Sequence, residues 1–271
     1  FGWLCGFYSN RRLCNEFIMK KIFVVGVECP EEIPLEKIKE KFEACLSQLQ
    51  KPKPHLVLHH FREDLSWLQN IKYPYSIYSR SLQNSKDTVH LNHDKGVEAY
   101  AYLQYIVDNY DALPEVVIFV HGHRQSWHQD GNIDDILNNL KFDKSFYNFN
   151  NCYINPMSRG EDETVVSHYF PRFKDSCLFR KSYKLWMEDT WEELFLKRIE
   201  LPERFECKAA AQFYTTREKI LQHPKWFYEH MLRWLMETDI DERLRVSKDK
   251  QTLDSQVSGR IMEFNWHLLF K

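Results

Sequence analysis

Hydrophobic and polar positions fall into periodic blocks along this chain. Residues 22–27 (IFVVGV) form a continuous apolar run of strand length. Leu35, Ile38, Phe42, Cys45, Leu46 and Leu49 then recur at the 3 and 4 spacing of an amphipathic helix over residues 34–50. Lys51-Pro52-Lys53-Pro54 ends that block, because a residue preceding proline is driven out of the helical region. Residues 55–61 (HLVLHHF) predict a second strand and residues 75–80 (YSIYSR) a third. Val97, Tyr100, Ala101, Leu103, Ile106, Val107 and Tyr110 share one helical face, and after the turn Asp111-Ala112-Leu113-Pro114 the run 116–120 reads as a buried strand. A helix leading into a buried strand favours an α/β sheet.

Further along, residues 133–140 predict a short helix, and residues 142–182 long loops carrying short elements. Residues 186–197 read as helical at least in part, 207–214 as an apolar segment, 216–221 as a short helix and 224–237 as a strong amphipathic helix. Its stripe Trp226, Phe227, His230, Leu232, Trp234 and Leu235 is expected in the core, and the charged stretch 239–255 at the surface. Residues 1–54 read as an N-terminal extension and 55–271 as the α/β domain. Within the extension Met19 reads as the natural start, so residues 1–18 are left out of the fold reading.

Composition narrows the classes. With 37 Lys+Arg against 39 Asp+Glu the 271-residue chain has no field that would recruit nucleic acid. An apolar fraction of 43% with 19 Phe, 14 Tyr and 8 Trp excludes disorder and predicts a soluble, folded protein. No apolar run approaches the roughly 18 to 20 residues of a membrane span. The seven cysteines are dispersed without a C-x-x-C pair, which points to a reducing, cytoplasmic setting; a lost N-terminal signal or membrane stem stays open. Only 8 residues are glycine, so a glycine-rich phosphate cradle has little material, and no P-loop, G-x-G-x-x-G, H-E-x-x-H or G-x-S-x-G motif occurs.

Candidate chemistry concentrates where strands end. The segment 116–129 (VVIFVHGHRQSWHQ) releases His121, Gly122, His123, Arg124, Ser126, Trp127 and His128 at the carboxyl end of a strand, where ligands bind in open α/β sheets. His121 and His123 share a face in extended geometry and suit the start of a zinc or manganese site, or hydrogen bonds to neighbouring loops. Arg124 suits a phosphate or carboxylate, and Trp127 a stacked nucleobase or sugar ring. Glu63 and Asp64 follow strand 55–61 and suit a ribose hydroxyl or a cation, and equally the N-terminus of a helix. Asn92 or Asp94 is the expected cap of the helix over 97–110, with Glu98 in its first turn. Glu263 and His267 stand four apart in an apolar, aromatic run, as a general base, a metal ligand or a buried structural pair would.

The pieces REDLSWL (62–68), IYSRS (77–81), 90–128, 209–235 and SGRIMEFNWHLLF (258–270), in this order, resemble the family called domain of unknown function 3431. The layout looks like that of the glycosyltransferase type A enzymes. That resemblance implies a single mixed, mostly parallel sheet flanked by helices, and a sugar moved from a nucleotide-sugar donor to a glycan or protein acceptor. It also implies Mn²⁺ or Mg²⁺ at a D-x-D segment, a position that His121 and His123 occupy here. Histidines suit these hard cations less well than aspartates, and Arg124 is the alternative counter-charge for the leaving diphosphate. By the same resemblance Glu63 and Asp64 lie near the nucleotide and Glu263 or His267 is the late residue on the acceptor side; the expected base is Glu263 or Asp64, with His267 beside it in the catalytic set, and Glu63, Glu98, Arg124, Trp127 and His128 are the expected substrate contacts. Two other readings stand beside it. One is a metal-dependent hydrolase using His121, His123 and His128; the other is a non-catalytic carbohydrate-binding module presenting Trp127.

Overall fold

The computed structural model describes residues 53–93, 95–151, 190–202, 211–239 and 256–270. The chain divides into two compact units, Phe1–Lys51 and Pro52–Lys271, and every described residue belongs to the second. The strand and helix expected over 22–50, the seven cysteines, Asp94 and residues 240–255 lie outside the described residues.

Among the described residues six strands form one mixed sheet flanked by helices: β1 Pro54–His60, β2 Tyr75–Ser79, β3 Thr88–His90, β4 Val116–His121, β5 Phe146–Asn148 and β6 Phe213–Thr216. Their order is β3-β2-β1-β4-β6-β5, and β6 alone runs against the others. The helices among the described residues include α1 Val97–Asn109, α2 Ile133–Asn138, α3 Arg217–Ile220, α4 Lys225–Glu237 and α5 Gln256–Phe270, and residues 190–195 are helical as well. The central strands β1 and β4 read as apolar runs rather than alternating ones because both of their faces are covered.

Alternate residues feed two cores. Val57, Val117, Phe119 and Phe213 pack on one face against α1, α4 and α5. Leu56, Leu58, Ile118, Val120 and Tyr214 pack on the other against Trp67, Leu68, Ile133 and Leu137. Phe213 sits at the centre of the first core, with ring centroids 5.2 Å from Phe119, 5.4 Å from Phe146 and 5.5 Å from Trp266.

Two local expectations change. The cap of α1 is Gly96, not Asn92 or Asp94; Gly96 has φ +81°, a left-handed conformation that glycine adopts without steric cost. β3 and β5 are only three residues long, too short to show a period. Trp226, expected in the core, is exposed beneath the Arg198 guanidinium, 5.5 Å from its ring, whereas Phe227, Trp234 and Leu235 of the same stripe are buried.

Candidate functional site

The register of the sheet levels the carboxyl ends of three strands. His59 of β1 pairs with His121 of β4, and His60 with Ser79 of β2. Strand order runs outward from β1 through β2 to β3, and β4 then lies on the other side of β1. The chain therefore reverses direction at β1/β4, and the crevice beyond such a reversal is where open α/β sheets bind ligands. A cavity of about 460 Å³ opens there, lined in part by His59, Glu63, Arg80, His121, His123 and Trp127.

α1 contributes Glu98 to this cavity from its first turn, and α5 contributes Gly259 and Glu263 from the far end of the sequence. The start of α5 reaches this position because residue 259 is a glycine: a Cβ there would lie 2.9 Å from the carbonyl oxygen of Gly96. Glu98 and Glu263 are both buried, and both act on Tyr102, one turn beyond Glu98. Burial pushes that phenol well above its usual range, and the two carboxylates push it further; its hydroxyl donates to the Ala211 carbonyl at 2.8 Å.

Glu63 is held by its own turn. Its Oε2 accepts from the backbone N–H of Phe61 at 2.7 Å and of Arg62 at 3.0 Å, and its Oε1 lies 3.5 Å from His123 Nε2. Burial alone would raise its carboxyl pKa. The backbone donors together with His123 outweigh burial and leave it below the usual value, so Glu63 is a carboxylate at neutral pH. Gly122 makes room for it, since a Cβ there would lie 2.9 Å from Glu63 Oε2.

Two titratable lining groups were not singled out from the sequence. His59, with 6% of its surface exposed, has no hydrogen-bond partner at Nε2. Burial first, then the charge of Arg80, pushes its pKa down to about 3, Glu63 opposing and His60 and His123 adding to the shift, so the ring is neutral. Arg80 follows β2 and lays its guanidinium over the Phe61 ring, 4.4 Å from the centroid. Burial lowers its pKa, while Glu63 and Glu98 pull it back up. The one available signal was positional: Arg80 ends the predicted strand 75–80 at the edge where His121 ends another.

Of the residues proposed from the sequence, Glu63, Glu98, His121, His123, Trp127, His128 and Glu263 all line this cavity. Asp64 is turned to Ser66, accepting from its backbone N–H at 2.9 Å and its hydroxyl at 2.8 Å. Arg124 grips Asp134 with two parallel bonds of 3.1 Å. His267 is buried one turn beyond Glu263 on α5. Among the described residues no three His, Cys, Asp or Glu side chains group as ligands of a metal ion.

The neutral state of His59 makes stability depend on pH. Its folded pKa lies below its unfolded value of 6.5, so the unfolded chain takes up a proton first on acidification. The stabilisation is full above that value and is lost as pH falls toward the folded pKa. The slope from this group is about 1.4 kcal/mol per pH unit. Comparing urea unfolding at about pH 7 and about pH 5, we expect wild type to lose about 2 kcal/mol more than His59→Gln. Equal losses in the two proteins would mean that His59 is solvated in solution.

Fold and site together define an α/β protein with a ligand cavity at a topological switch point. A family model described as protein of unknown function (DUF3431) matches residues 56–271. The chain belongs to that family. No curated protein and no solved structure matches the chain. Among the described residues no helix is long and apolar enough to cross a membrane.

Proposed function

We propose that the protein is a glycosyltransferase of type A likeness that moves a sugar from a nucleotide-sugar donor to a hydroxyl of a glycan or protein. The observation that carries this reading is that Glu63, His121, His123 and Glu263, residues drawn from three distant parts of the sequence, line one cavity beyond the carboxyl ends of β1 and β4. Glu263 is the base: it takes the proton of the acceptor hydroxyl as that oxygen bonds to the anomeric carbon, and the nucleoside diphosphate leaves. Arg80 takes the counter-charge role for that diphosphate, since Arg124 is engaged by Asp134 and Arg80 lines the cavity. Glu63 and Glu98 are acceptors for sugar hydroxyls. The exposed ring of Trp127 suits a nucleobase or a sugar ring.

Thermal-shift screening of the full chain against nucleoside diphosphates and their sugars, with and without manganese, tests the proposal. A ligand present at 100 times its dissociation constant adds about 2.7 kcal/mol of stability. We expect such a shift from at least one nucleotide, and its loss in Arg80→Ala. No shift with any nucleotide, with or without manganese, contradicts the proposal. The exposure of Trp127 and Phe61 also favours a second reading, a carbohydrate-binding module. Glycan binding that survives His121→Ala, His123→Ala and Glu263→Ala would select it.

A further inference from the structure

The loop after β4 carries an arrangement that the transferase reading does not use. Ser126 Oγ lies 2.9 Å from His128 Nε2, and His128 Nδ1 lies 2.7 Å from Asn150 Oδ1. Ser126 and His128 line the cavity, and Asn150 is fully buried behind them.

The direction of these bonds follows from the groups around them. Asn150 Nδ2 faces two acceptors, Asn148 Oδ1 at 2.7 Å and the Gln212 carbonyl at 3.0 Å, so the amide nitrogen must point there and Oδ1 must face the imidazole. An amide oxygen only accepts, so at 2.7 Å His128 Nδ1 donates to it; the Gln212 amide nitrogen also faces Nδ1 but at 3.4 Å, and it donates to Gln129 Oε1 at the shorter 2.9 Å. In the neutral ring Nε2 is then the bare nitrogen and takes the Ser126 hydroxyl proton. The alternative acceptor for that proton, Gln129 Oε1, is farther away at 3.5 Å. Gln129 is itself fixed, because its Nε2 donates to the carbonyls of Arg124 and Gly131. A hydroxyl bonded to a bare imidazole nitrogen, with the other ring nitrogen held by a third group, is the constellation that activates a serine nucleophile.

We propose that Ser126 is such a nucleophile and that the cavity cleaves carboxylic esters of polyhydroxylated alcohols. The aromatic face of Trp127 and the carboxylates of Glu63, Glu98 and Glu263 suit the polyol part. Ser126 Oγ bonds to the ester carbonyl carbon while its proton passes to His128 Nε2. The carbon–oxygen bond to the alcohol breaks, the alcohol leaves with that proton, and an acyl-Ser126 ester remains. Water, deprotonated by His128, then releases the carboxylic acid and restores the serine. Asn150 is a positioning residue that fixes the tautomer. The proposal stands independently of glycosyl transfer. A chain that binds no nucleotide but acylates Ser126 would keep this inference and remove the other.

The test treats the full chain with diisopropyl fluorophosphate and with p-nitrophenyl acetate. We expect one phosphoryl adduct per chain, mapped to Ser126 by peptide mass spectrometry, and a burst of p-nitrophenol. His128→Gln should slow both reactions by about 10²- to 10⁴-fold, the usual contribution of a general base. Ser126→Cys, which keeps a nucleophile of similar size, should add one carbamidomethyl group mapped to position 126 on brief iodoacetamide treatment, beyond any on the seven native cysteines, and guards against misreading a folding defect in Ser126→Ala. Imidazole nitrogen–proton correlation spectra should show His128 as the Nδ1–H tautomer, and a mixture of tautomers in Asn150→Ala. No adduct on Ser126 in the folded chain, or labelling at the same rate in His128→Gln, overturns the proposal.

Discussion

Glu263→Gln is expected to lower the rate of sugar transfer by about 10²- to 10⁴-fold while the chain stays folded. The amide has the size and shape of the carboxylate and still offers an oxygen to neighbours in this buried position, so α5 keeps its seat against Gly96. What is lost is the ability to take a proton. Measuring initial transfer rates with a nucleotide-sugar donor, alongside the circular dichroism spectrum, separates the two effects. A variant that transfers at the wild-type rate would show that Glu263 is a structural carboxylate and that the proton leaves by another route.

Phe213→Ala is expected to be the most costly single truncation for stability, at about 3–5 kcal/mol. Phe213 is fully buried, and its ring meets those of Phe119, Phe146, Trp266 and Phe270. Those rings come from β4, β5 and α5, so they cannot close together over the space left behind without moving a strand or a helix. A loss of this size is a large share of the roughly 5–15 kcal/mol that holds a domain together. Urea unfolding should show the midpoint falling with an unchanged slope. A cost under about 1 kcal/mol would mean that this aromatic centre is loosely packed in solution.

The long elements were legible because periodicity needs length. α1 and β4 show thirteen and six residues respectively of uninterrupted pattern, and both appear where the spacing put them. β3 and β5, at three residues each, exist because β2 and β6 offer them an edge, a reason that lies outside their own sequence. The same division holds at the cavity. His121, His123, Trp127 and His128 were visible because they crowd the end of one strand.

Arg80 was not visible, because what makes it a cavity residue is the parallel pairing of β2 with β1, a tertiary fact. Arg124 looked like the better cation until its partner was known: Asp134 stands ten positions on, in the first turn of α2, and takes both prongs of the guanidinium. The scarcity of glycine proved informative in an unexpected way. Gly96, Gly122 and Gly259 leave room for Leu235, for the Glu63 carboxylate and for the approach of α5 to α1.

The most direct measurement is a crystal structure of the full chain soaked with the nucleotide-sugar that raises its melting temperature most. The ligand should lie beyond the carboxyl ends of β1 and β4, with diphosphate oxygens within about 3 Å of the Arg80 guanidinium and the sugar facing Glu263. A ligand bound elsewhere on the molecule, with the cavity holding only water, would contradict the assignment of this cavity as the donor site.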